Sequence, residues 1–258
     1  MCWSPVATGI FASLYFISGV SILIRKPSKW VELLVFTSFY MIMELFQLFQ
    51  WTLGDVTMIA NETSILNGCS GTNQGFTYVA WALIWLQPLM FSSMGLYSNL
   101  WGSWKGKKSY FLKITLMNLV IFFYAIITLI SINLSNVNYG ATDPDFDSNV
   151  GLITCTFIGK NSHLQWVIKS FHPDYQVNNL LYVILCLISF INYDGELLGI
   201  ALSWLLTFFV TIICFNVSLS EIPAFWCMLS IGSVVINTIY SFVYSYANYE
   251  PQKLGYKK

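Results

Sequence analysis

The chain has 258 residues, of which 56% are hydrophobic and only 9% charged, and its formal net charge is zero. Soluble domains carry about a quarter charged residues, so a mean hydropathy of +0.64 points to a bilayer as the solvent. The neutral balance argues against nucleic acid as a partner, and no stretch is rich enough in Pro, Gly or Ser to divide the chain, so residues 1–258 are expected to form one domain.

In chain order, seven apolar segments are long enough to span: 5–24, 30–53, 75–99, 113–134, 177–193, 197–217 and 222–247. A span needs about 20 residues at about 1.5 Å rise each. The fifth is the shortest. No basic residue precedes the first run, and Arg25, Lys26 and Lys29 follow it, so it reads as a retained helix rather than a cleaved signal peptide. Lys105, Lys107, Lys108 and Lys113 flank the third and fourth spans, and Lys253, Lys257 and Lys258 close the tail. Only Lys160 and Lys169 fall on the other side. Basic residues stay inside, so the N-terminus is expected outside and the C-terminus inside, with an odd number of spans. The expectation is an all-α bundle of seven transmembrane helices.

The outer loops carry the irregular structure. Asn61-Glu-Thr63, between the second and third spans, is a glycosylation sequon, usable where the host glycosylates. Asn216-Val-Ser218 also matches but sits at the membrane edge. The loop of about 135–176 holds Asp143, Asp145, Asp147 and Asp174. Within it, 152–158 and 163–168 are β-prone, and the turn-forming 159–162 joins them, which predicts a β-hairpin lid over the outer face. Cys69 and Cys155 both fall on the outer side, where oxidation is permitted. As a bridge they would tie the lid to the top of the third span; the alternative is two free thiols.

The second span is the most informative. Thr37, Tyr40, Glu44, Gln47 and Trp51 recur at i, i+3, i+7, i+10 and i+14, which places them on one helical face. A carboxylate in hydrocarbon costs about 2.5 kcal/mol or more, so this face looks into the bundle. It holds either a ligand, cation or proton site, or an interhelical hydrogen-bond clamp. Gln50 falls on another side, towards the outer interface. In the third span Gln87-Pro88 marks a kink. The Gln87 amide would either stabilise that kink locally or reach Glu44.

In the seventh span Trp226, Ser230, Ser233, Asn237 and Tyr244 share a face. Glu221 lies roughly 140° from it by helical geometry. It stands three residues after Ser218, a capping-box spacing, so a cap outweighs a charge at a pocket mouth. His163 and His172 are loop histidines, for which hydrogen bonding is commoner than metal ligation. No Cys/His spacing suggests zinc.

At Cys2-Trp-Ser4 and Glu221-Ile-Pro-Ala-Phe-Trp-Cys-Met-Leu-Ser-Ile-Gly232 the chain resembles an uncharacterised family of seven-helix membrane proteins beginning Met-Cys-Trp-Ser, found in bacteria and large DNA viruses. Glu44, Gln47, Cys69, Asn73, Gln87-Pro88, Cys155 and the His163…Trp166 pair also fit its pattern. The likeness runs nearly the full chain and is sparse outside the two end motifs. It implies an architecture and no chemistry. Richness in Asn, Ile, Lys, Phe and Tyr leans towards a viral source.

Several classes are excluded or disfavoured. The seventh span has no lysine, so no retinal Schiff base can form, and no cofactor is expected. The Asp-Arg-Tyr and Asn-Pro-x-x-Tyr motifs of G-protein-coupled receptors are missing, as is the Gly-x-Gly-Asp motif of aspartyl intramembrane proteases. The leading expectation is a non-enzymatic receptor or sensor for a small polar or cationic ligand in an outward-facing pocket. Glu44, Gln47 and Gln87 would form its floor, Trp226 a wall, and His163 and Trp166 the lid. The alternatives are a proton-coupled permease titrating at Glu44, an enzyme with His163 and an aspartate on a metal, and a structural component of a viral or cellular membrane. No motif specifies the ligand, the oligomeric state or the particular membrane.

Overall fold

A computed structural model describes residues 4–27, 29–58, 69–101, 107–134, 150–151, 153–158, 163–169 and 177–214, with five single positions between 232 and 243. Among these residues six helices are defined: α1 (Pro5–Arg25), α2 (Trp30–Leu53), α3 (Gly71–Trp101), α4 (Lys108–Leu134), α5 (Asn179–Phe190) and α6 (Gly195–Cys214). Four short strands accompany them: β1 (Thr57–Met58), β2 (Val150–Gly151), β3 (Cys155–Ile158) and β4 (Leu164–Lys169). Among the described residues four helices, Pro5–Arg25, Trp30–Leu53, Gly71–Leu100 and Lys108–Ile132, are long and apolar enough to cross a membrane.

Local chemistry sets the helix ends. Ser4 caps α1 by accepting the Ala7 N–H, and Pro5 occupies the first turn, where no N–H is needed. Lys26 and Lys29 both take positive φ, turning the chain sharply so that α2 packs back along α1. The Ser70 hydroxyl caps α3 through the Asn73 N–H, so α3 begins at Gly71 rather than at the expected 75. Asn178 caps α5 through the Leu181 N–H. That helix has 12 residues, about 18 Å of rise, which is shorter than the expected 177–193 span and than a hydrocarbon core of about 30 Å. Its chain leaves the axis in a tight turn closed by the Tyr193 N–H on the Phe190 carbonyl.

The helix α3 packs against α2, α4, α5 and both strands of the hairpin. Its middle carries Pro88, whose carbonyl accepts Asn118 Nδ2 of α4 at 2.9 Å and Ser189 Oγ of α5 at 3.4 Å. Below it, Phe91, Phe190 and Trp204 interlock edge to face, and Tyr193 lies tilted against Phe190. The Tyr193 hydroxyl donates to the Phe91 carbonyl. At Gly95 a side chain would overlap the Phe111 ring, so only glycine lets α3 and α4 approach this closely.

Besides an apolar core, the described helices carry large apolar side chains on their exposed faces. On α4 the exposed positions include Leu112, Leu116, Val120, Phe123, Ile127, Ile130 and Leu134, an apolar stripe at helical spacing. On α2 the buried positions include Thr37, Tyr40, Glu44, Gln47 and Gln50.

Strands β3 and β4 form the antiparallel hairpin expected from the loop, in register Thr156 opposite Trp166. The first strand is shorter than expected, starting at Cys155 rather than 152. The strands β1 and β2 flank it in parallel, giving the order β1-β3-β4-β2. Cys69 and Cys155 stand at disulfide distance, their Cα atoms 5.9 Å apart, so the hairpin is pinned to the start of α3.

Candidate functional site

The polar stripe of α2 faces inward as a stack of layers. The outer layer is where the hairpin docks. Asn73 of α3 donates to the Thr156 carbonyl and accepts the Thr156 N–H, both at 2.8 Å, as a neighbouring strand would. The Thr156 hydroxyl meets Thr77 Oγ1 at 2.7 Å and accepts Gln50 Nε2 at 2.6 Å. Trp166 Nε1 donates to Gln50 Oε1 at 3.2 Å. The Gln50 amide thus joins both hairpin strands to the end of α2. Its expected place at the outer interface is corrected by the structure: the hairpin folds over the end of α2 and leaves Gln50 fully buried.

The inner layer centres on Gln87. Its Oε1 accepts the hydroxyls of Tyr182 at 2.7 Å and Tyr40 at 3.2 Å, and its Nε2 lies 3.4 Å from Met43 Sδ. Neither sequence alternative for Gln87 matches these contacts. It turns to two tyrosines, while Asn118 and Ser189 donate to the carbonyl of Pro88 itself.

Between these layers lie Glu44 and Gln47, one helical turn apart and essentially without solvent exposure. Glu44 Oε1 and Oε2 and Gln47 Oε1 are buried with no hydrogen-bond partner among the described residues. The buried indole N–H groups of Trp51 and Trp85 have none there either. Other buried orphans, such as Asn99 Oδ1 and Asn118 Oδ1, stand on other helices, whereas these three acceptor oxygens share one face of α2. Such a set can receive a donor-bearing cation.

Of the other expected site residues, Trp166 is joined to this face through Gln50, and His163 is buried immediately before β4. Trp226, the cap pair Ser218 and Glu221, the sequon at Asn61 and nearly all of the seventh span lie outside the described residues, as do Asp143, Asp145, Asp147 and Asp174.

At the opposite end of α3 a second polar cluster gathers three loops. Asp194, between α5 and α6, lies 3.5 Å from Lys29 and 3.6 Å from Lys107. Lys29 also donates to Ser98 Oγ, and Lys107 to the Asn192 carbonyl at 3.1 Å. No periodic signal in the sequence joins these loops.

A family of unknown function (DUF5765) matches residues 7–244. An uncharacterised protein of Acanthamoeba polyphaga mimivirus is similar, at 35% identity over 237 residues, covering 90% of this chain and 91% of that one. No solved structure matches.

Proposed function

The chain belongs to the family of unknown function DUF5765, and from its geometry we propose a seven-span membrane protein, N-terminus outside, that acts as a receptor or sensor for a small cationic ligand held at Glu44. The observation that carries this reading is the buried Glu44 carboxylate with no hydrogen-bond partner among the described residues. Keeping a carboxylate in hydrocarbon costs about 2.5 kcal/mol or more, and a bound cation offsets that cost. The disulfide-pinned hairpin supplies the cover, reaching this face through Trp166 and Gln50. The span count is supported by the basic loops, and by the meeting of Lys29, Lys107 and Asp194 at the end of α3 away from the hairpin.

The test uses the purified full chain in detergent. Small organic cations should raise its unfolding temperature, by the equivalent of about 2.7 kcal/mol at a hundredfold excess over Kd. Glu44→Gln should fold and lose that response. An equal response in the variant would sink the reading.

A proton-coupled permease is the second reading. It is favoured by the position of Glu44 well inside α2, bounded by bonded layers on both sides, because transporter sites cluster near the bilayer midplane. It would show as uptake into liposomes driven by a pH gradient and abolished by Glu44→Gln.

A further inference from the structure

We infer that the Glu44 site selects cations bearing N–H groups, primary and secondary ammonium ions, over quaternary ones; this rests on the cationic reading above and specifies its ligand class. Proteins hold organic cations in two ways. Acceptor oxygens take N–H donors, whereas aromatic faces hold a cation that has none to give.

Here the acceptors are in surplus. Glu44 Oε1, Glu44 Oε2 and Gln47 Oε1 are buried, lie one turn apart on α2 and receive no donor from the described residues. The donors in the adjoining layers are engaged elsewhere: the Tyr40 and Tyr182 hydroxyls on Gln87, the Gln87 amide on Met43, and the Gln50 amide on Thr156. The indole N–H groups of Trp51 and Trp85 do not reach the three oxygens.

Among the described residues, the faces of Tyr40 and Trp85, in contrast, are used by other rings. Tyr40 packs among Tyr15, Phe36 and Phe39, with the Tyr15 ring stacked on it. Trp85 packs against Trp81 and Tyr182. Among the described residues these rings pack on one another, stacked, tilted or edge to face. A primary ammonium carries three N–H donors for three acceptors. A tetraalkylammonium would bring charge but leave the three oxygens unpaired in a buried layer, which is the costly arrangement.

The experiment measures the unfolding temperature of the full chain in detergent against methylammonium, dimethylammonium, trimethylammonium and tetramethylammonium chlorides. The half-saturating concentration should rise at each step, by roughly tenfold per N–H replaced, the effect of one charge-assisted hydrogen bond. Gln47→Leu should narrow the gap between the first and last of the series while keeping a response to both. It also serves where Glu44→Gln fails to fold. Equal half-saturation across the series would overturn the inference and leave a cation site standing. No response to any of the four would remove the cationic reading, and this inference with it.

Discussion

At the scale of single residues, Thr156 decides whether the hairpin holds. Its hydroxyl joins Thr77 and Gln50, and its backbone is clasped by Asn73. Thr156→Val keeps the shape and removes the hydroxyl, leaving the Gln50 amide without its partner there. The expected loss is about 1–3 kcal/mol, read as a lower unfolding temperature with faster amide exchange confined to 155–169. A uniform change along the chain would argue against a local role. Glu44 and Gln47 were legible in the sequence because the bilayer penalises polar side chains and α2 repeats them at helical spacing. Gln50 was not, because its burial comes from a hairpin more than a hundred residues later folding over the helix end, and no periodicity records that. Gln87 was recognised as a polar residue at a proline. Its partner Tyr182 is 95 residues away, so its contact is tertiary and left no local trace.

At the scale of elements, α3 is the packing axis of the described bundle, and Gly95 sets how closely α4 lies against it. Gly95→Val should destabilise the chain by about 1–3 kcal/mol through overpacking on Phe111. In a Phe111→Ala background the same substitution should cost much less, since the colliding ring is gone, and a double-mutant cycle measured by thermal unfolding checks the coupling. Additive effects would place the collision elsewhere. The hairpin could be read from the sequence even though β3 is buried through Phe157 and β4 through Ile168. Burial on both faces erases alternation, but two β-prone runs around a turn-forming link remained. Helix α5 was overestimated because the apolar run extends past its structural ends. Asn178 caps one end, and the turn after Phe190 closes the other.

For the whole molecule, two polar constructions sit at opposite ends of α3: the hairpin clasp near Asn73, and the Asp194 cluster near Ser98. If helices alternate across a bilayer, the two ends face different compartments. Lys108→Cys and Lys169→Cys, each compared with the unsubstituted chain, should react with a membrane-impermeant thiol reagent from opposite sides of sealed vesicles. Labelling of both from one side would sink the proposed orientation. The bridge between Cys69 and Cys155 has its own bearing on biosynthesis. Between its two cysteines the chain runs down α3 and back along α4, so the sulfurs share a compartment only when both helices have inserted or neither has. Had just one of them crossed, the thiols would be separated by the bilayer and could never meet. In the orientation opposite to the proposed one, both would face a reducing cytosol. Cys69 is synthesised well before Cys155 and waits for it while α4 is still emerging. In the proposed orientation, closure of the bond late in synthesis would record that both cysteines had reached the same oxidising side.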